Sequence, residues 1–233
     1  MSGQPDLGGF AQARGQIVRE RLAPGSVDKV DSGGQRWTGF ARLPDNSYIY
    51  SQSVWTELNM TIDLHKWTFA DREALMALCN AVDRTYLSDR LPYPYTEADA
   101  DWWLGMVAGN DGKEGVWRAI VVDGQVVGSI SVERMANENR SVGLIGYMIL
   151  TPFWSQGIGT EAVRQICGIA FRELALERII GEVFPENLAS ARVLEKNGFL
   201  LEETRAGAVV KGGKAMDVKV YRLASDQASL HDF

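Results

Sequence analysis

From residue 60 onward the hydrophobic pattern switches repeatedly between strand-like alternation and helical spacing, and the order of those switches constrains the fold most strongly. Thr61 to His65 alternates as a short strand. Thr68-Phe-Ala-Asp71 opens a helix in capping-box fashion, with Leu75, Leu78, Cys79, Val82 and Tyr86 at helical spacing. After the turn-rich Leu91-Pro-Tyr-Pro94, Thr96-Glu-Ala-Asp99 opens a second helix whose Ala100, Trp103, Leu104 and Val107 share one face. Val116 to Val122 and Val126 to Arg134 read as strands joined by the hairpin signal Asp123-Gly124. Val142 to Leu150 is a third strand. A helix follows over Thr160 to Leu174, then a strand over Arg178 to Phe184, and a helix over Ala189 to Asn197 stopped by Gly198. Two closing strands, near Leu200 to Thr204 and Met216 to Leu223, flank the turn Lys211-Gly-Gly-Lys214. The order is strand, two helices, three strands, helix, strand, helix, two strands. That predicts an α/β fold of the mixed-sheet, α+β kind, not a simple βαβ repeat.

Composition narrows the class. The chain has 233 residues, 45% hydrophobic and 23% charged, which excludes a wholly disordered or collagen-like polymer. A net charge of -6 argues against nucleic acid as the partner. Cys79 and Cys167 lie on apolar helical faces and read as buried thiols rather than a disulfide framework. No apolar run approaches the ~20 residues of a membrane span, and the N-terminus lacks the pattern of a secretory signal. The expectation is a soluble, cytoplasmic protein that does not act on membranes. His65 and His231 form no close cluster with cysteines, so no metal site is expected. Residues 1–57 differ from the rest: Gly8-Gly9, Pro24-Gly25 and Gly33-Gly34 interrupt any periodicity. They read as an N-terminal arm, with a short helix over Phe10 to Leu22 and a strand over Trp37 to Leu43 or Tyr48 to Trp55. Its Trp37, Phe40, Tyr48, Tyr50 and Trp55 offer apolar surface to the domain or to a second copy, which leaves a homodimer open. The main domain is expected over 58–224, with 225–233 a C-terminal tail.

The chemistry points to Leu150-Thr-Pro-Phe-Trp-Ser-Gln-Gly-Ile-Gly-Thr160, a strand end and glycine-bearing loop that opens a helix. Gly157 and Gly159 leave the backbone unshielded, and the first helical turn carries unpaired N–H groups at the positive end of the dipole. Such a site suits phosphate or pyrophosphate; a tight connection is the plainer reading of the same glycines. It is not a Walker A loop, which needs Gly-Lys-Ser/Thr, and Ala162 stands at the last glycine position of a G-x-G-x-x-G pattern.

A second stretch, Pro185-Glu-Asn-Leu-Ala-Ser-Ala-Arg-Val-Leu-Glu-Lys-Asn-Gly-Phe199, joins a strand through a polar turn to a capped helix. Together, WSQGIGTEAV and PENLASARVLEKNGF resemble the GNAT superfamily of acetyl-CoA-dependent N-acetyltransferases, and most closely its Rim-type, ribosomal-protein branch. The resemblance covers roughly residues 60–224. It implies the GNAT fold, whose central strands splay apart around acetyl-CoA, here carrying an N-terminal extension. It assigns the pantetheine arm to the backbone of Leu150. It assigns the pyrophosphate to Gln156, Gly157, Ile158, Gly159 and Thr160. Asn187 would hydrogen-bond the pantetheine, and Ser190 would lie near the thioester sulfur.

Two positions depart from the family pattern. Trp154 replaces the usual Arg or Gln, and Leu194 stands where many relatives carry the tyrosine that protonates the thiolate. That role passes to Ser190, to water, or to nothing. For the base that takes the amine proton, Glu182 matches the glutamate of some relatives. Ile180 and Phe184 on its strand face would raise its affinity for protons. An ion pair with Arg178 or exposure to solvent is the structural alternative. Glu133 is the substitute base, and Glu186 reads as a solvated turn residue. Tyr93, Tyr95 and Trp102 are candidates for an acceptor wall, with Trp103 in the core. The expected reaction is acetyl transfer from acetyl-CoA to a primary amine: a protein N-terminus, a polyamine or a small-molecule amine. Transfer of a longer acyl group, or a non-catalytic acyl-CoA-binding sensor or scaffold, are the alternatives.

Overall fold

A computed structural model describes residues 60–136 and 139–228, together with five two-residue strands before them. The chain divides into two compact units, Met1–Asn59 and Met60–Phe233. In the first unit, Arg19–Glu20 and Ala41–Arg42 pair with Tyr48–Ile49, and Lys29–Val30 pairs with Arg36–Trp37, all antiparallel. Arg19 and Glu20 are therefore extended, not helical, because pairing with Tyr48 and Ile49 overrides a weak helical period. Trp37 and Ala41 belong to different ladders, so they do not form one strand. The rest of both expected elements lies outside the described residues.

The second unit carries, in chain order, β1 (Ile62–Lys66), α1 (Arg72–Ala81), α2 (Glu97–Asn110), β2 (Gly115–Val122), β3 (Gln125–Arg134), β4 (Val142–Ile149), α3 (Ile158–Leu174), β5 (Arg178–Val183), α4 (Leu188–Lys196), β6 (Leu200–Lys211), β7 (Lys214–Ala224) and the single turn α5 (Ser225–Ala228). The strands form one seven-stranded sheet in the order β6-β7-β5-β4-β3-β2-β1. Both expected helix starts close their boxes. The Thr68 and Thr96 N–H groups each donate to the aspartate three residues on, at 2.8 Å. At the hairpin, Asp123 and Gly124 both take positive φ, 48° and 83°, the mirror-image turn that matches strand twist.

Two layers cover the sheet. On one face α3 and α4 bury Ile158, Val163, Ile166, Leu174 and Leu194 against Ile120, Ile130, Ile145 and Val183. On the other, Leu75 and Leu78 of α1 and Leu104 and Val107 of α2 pack on Trp117, Ala119 and Val121. Each such fully buried side chain contributes about 1.5–3 kcal/mol from its removal from water. Two boundaries differ from the sequence reading. α1 ends at Ala81, since Val82 turns extended (φ -67°, ψ 143°) while its side chain stays buried. β6 and β7 run on into a long hairpin, with irregularities between Leu201 and Glu203 and between Arg205 and Val209.

Candidate active site

β4 and β5 are parallel neighbours, but their register ends at Ile145 opposite Gly181. Beyond it β4 continues to Ile149 and β5 to Val183 without pairing, so the two strands part. Leu150 donates its N–H to Val127 O on β3 at 2.9 Å, and its carbonyl accepts the Phe153 N–H at 2.9 Å. Its N–H is thus engaged within the protein, and its carbonyl already accepts one bond. Since strand residues alternate, Tyr147 turns its backbone groups toward the gap, and so does Ile149, whose carbonyl is taken by the Trp154 indole. Gly146, one residue past the last pair, is exposed mid-strand, and a Cβ there would meet nothing within 4 Å. A glycine inside a strand commonly marks close approach by another group; nothing in its sequence context had singled it out.

Just past β4, residues Thr151–Phe153 make a short 3-10 turn. The Trp154 indole N–H donates to Ile149 O and the Gln156 amide to Pro152 O, both at 2.7 Å. These bonds fold the loop against the strand end. Gly157 then caps α3 with φ 81° and no side-chain cap bond, and the space around its missing Cβ is open. The amides of Ile158, Gly159 and Thr160 fall in the first helical turn, where no intrahelical acceptor exists. Gly159 lets α3 approach Ile149 and Val193, whose methyl carbons would lie 3.4 and 3.5 Å from an added Cβ. Glu161 would oppose an anion here, but Arg164 pairs with it at 2.6 Å and holds its carboxyl below the usual range.

On the other side of the gap Asn187 caps α4, its side-chain oxygen accepting the Ser190 N–H at 3.1 Å. Leu194 is core: it is 1% exposed and stacks on Gly181, where a Cβ would lie 2.7 Å from its Cδ1. The phenol near the cap comes from β4 instead. Tyr147 Oη lies 2.7 Å from Ser190 Oγ and 3.3 Å from Ser190 O, and burial pushes the phenol up to about 12. Sequence reasoning missed this residue. Its alternation with Ile145 and Ile149 put it on the helix-covered face, but nothing in the spacing linked it to Ser190.

Glu182 is the first β5 residue beyond the β4 register and sits on the sheet face of Ile180. Its surroundings differ from the expected apolar box: Arg205 Nη1 lies 3.3 Å from Oε1, and 30% of the side chain is exposed. The partner is Arg205 on β6, not Arg178. Glu133 accepts the buried Trp117 indole at 3.1 Å and the Ser131 hydroxyl at 3.2 Å. Around this face the α1–α2 connection is tied to neighbouring segments. Lys211 donates to Arg84 O at 3.0 Å and Leu87 O at 2.6 Å, and the Gly212 N–H to Asp89 at 2.7 Å. Tyr86 approaches Phe184, and the Arg84 guanidinium covers the exposed Tyr93 ring at 5.3 Å. Tyr95, at 5% exposure, belongs to the core rather than an acceptor wall, and Trp102 points to solvent. Trp103 is partly buried, edge-on to Trp67.

Residues 62–200, which include this strand end, the glycine-capped α3, and α4, match the acetyltransferase (GNAT) domain family. The chain belongs to that GNAT family. Probable N-acetyltransferase YjcK of Bacillus subtilis (strain 168) is 42% identical over 77 residues, 33% of this chain and 42% of YjcK. The chain spans about half the length of the curated relatives it matches. Among solved structures of the GNAT fold, Mycobacterium smegmatis RimJ in complex with CoA-disulfide superposes with TM-score 0.63 at 18% identity, over 71% of this chain and 83% of that one. The ribosomal-protein-S5-alanine acetyltransferase from Vibrio fischeri gives TM-score 0.62 at 19% identity, over 71% and 93%.

Proposed function

We propose that this protein transfers an acetyl group from acetyl-CoA to a primary amine, and that the gap between β4 and β5 is where it does so. The observation that carries the reading is the uncapped, open N-terminus of α3, set at the end of β4 where β4 leaves β5. The amides of Gly157, Ile158, Gly159 and Thr160, with the Gln156 backbone and the Thr160 hydroxyl, suit a pyrophosphate. The gap-facing backbone of Tyr147 and the Ile149 N–H supply the strand-like contacts for the pantetheine, with Leu150 adjoining, and Asn187 caps the far side. When bound, acetyl-CoA would supply an acetyl thioester whose carbonyl carbon a neutral amine can attack, the C–S bond breaking as CoA leaves as a thiolate.

The chain's own residues then have two tasks. Glu182, at the edge of the gap with one oxygen engaged by Arg205, accepts the amine's proton directly or through water. Glu133 already accepts the Trp117 indole and the Ser131 hydroxyl, which occupies the carboxylate that would have to meet the amine. Ser190, at the start of α4, turns a hydroxyl toward the thioester sulfur. One curated relative, 33% identical over 109 residues, bears the name Putative ribosomal N-acetyltransferase YdaF, which supports a protein N-terminus as one acceptor to test beside polyamines and small-molecule amines. Steady-state thiol release from acetyl-CoA across such a panel tests the reading. Release that depends on the amine supports it, while binding without turnover on any amine favours a sensor.

A further inference from the structure

Ser190 has a fixed backbone but a hydroxyl that rotates, and a hydroxyl can donate only one hydrogen at a time. Tyr147 reaches it from the neighbouring strand: Oη lies 2.7 Å from Ser190 Oγ and 3.3 Å from Ser190 O, both distances on the same residue. The phenol comes up from β4 beneath the start of α4, beside Ile145 and Ile149. In that place the Leu194 side chain is buried on Gly181 and reaches nothing in the gap.

We propose that Tyr147 is a positioning residue: its Oη, 2.7 Å from Ser190 Oγ and 3.3 Å from Ser190 O, holds the serine hydroxyl in one place at the edge of the gap. This inference rests on the reading of Ser190 given above and adds a second residue to it. Burial keeps the phenol protonated throughout the physiological range, so it can donate to Ser190 O while its oxygen stays within hydrogen-bond distance of Ser190 Oγ. The Asn187 side-chain oxygen holds the same residue from the other side by accepting the Ser190 N–H. No proton need leave Tyr147 in this role; the phenol sets a direction, and the serine makes the contact.

A double-mutant cycle on the full chain tests this. Tyr147→Phe keeps the ring that packs beneath α4 and removes only the hydroxyl. It is expected to lower kcat about tenfold, the size of one ordinary hydrogen bond, with KM for acetyl-CoA and the melting temperature little changed. Ser190→Ala should cost at least as much. The double variant should be no slower than Ser190→Ala alone, since a phenol acting through the serine has nothing left to orient. Full additivity, or a Tyr147→Phe loss that appears in CoA affinity rather than kcat, would overturn the positioning role. If Ser190→Ala lowers kcat and Tyr147→Phe does not, this inference fails while the reading of Ser190 stands. If neither change alters turnover, both fall.

Discussion

A left-handed backbone at residue 157 does two things that a side chain there would undo. Its φ of 81° turns the loop into α3, and its missing Cβ leaves the amides of the first turn open. Gly157→Ala is therefore expected to destabilise the protein by about 1 kcal/mol from backbone strain alone, read as a lower melting temperature without ligand. The Glu182 carboxylate is more demanding to test, because its partner Arg205 gives it a structural reason to exist. Glu182→Gln keeps the shape and removes the proton acceptor. The rate is expected to fall ~100-fold while CoA affinity stays level, and raising the pH should restore part of it by delivering more neutral amine. Wild-type turnover in this variant would pass the role to Glu133 or water. At this scale the glycine loop, Asn187 and Ser190 were legible as short motifs. Tyr147 and Gly146 were not, since their significance depends on where β4 leaves β5, a relation between strands whose paired residues, such as Ile145 and Gly181, are far apart in sequence.

Among the elements, those with local chemistry at their ends were readable: the two threonine-aspartate boxes, the Asp123-Gly124 turn and the glycine after α4 each act within a few residues. The end of α1 was not, because Val82 keeps its helical position in the core after the backbone has left the helix. Nor was the length of β6, whose Arg205-Ala-Gly-Ala-Val-Val210 lacks alternation. Gly207 takes φ 60° within the irregular pairing between Arg205 and Val209, and its N–H donates to Asp217 at 2.9 Å. That extension places Lys211 under the α1–α2 connection, where its ammonium binds two carbonyls. Lys211→Met removes these bonds and retains most of the stem. With the connection released from the β6–β7 hairpin, KM for the amine is expected to rise roughly tenfold, while KM for acetyl-CoA holds. An equal rise in both would mean that the tie supports the whole sheet instead of the acceptor face.

For the molecule as a whole, the sheet is anchored at its β2 end by a buried cation. Arg118, 3% exposed, pairs with Asp111 at 2.6 Å, and Lys66 reaches the same carboxylate at 2.9 Å. Burial acts to raise the Asp111 carboxyl, but hydrogen bonds from Lys66 and Arg118 outweigh it and hold the group below its ordinary value. A carboxyl lowered in the folded state stabilises the protein above its unfolded value of about 3.9, and that contribution is lost as pH falls through the folded value. Melting temperature should therefore decline below about pH 4, and the decline should flatten in Asp111→Asn. The division at Asn59 leaves all of the described site in the second unit. If the α3 N-terminus beside the β4–β5 gap holds acetyl-CoA, calorimetric titration of acetyl-CoA into the wild-type protein should show saturable binding. The same titration into Gly157→Asp should show none, because the carboxylate blocks the amides and repels the pyrophosphate. Undiminished binding by a folded Gly157→Asp protein would contradict this placement of acetyl-CoA.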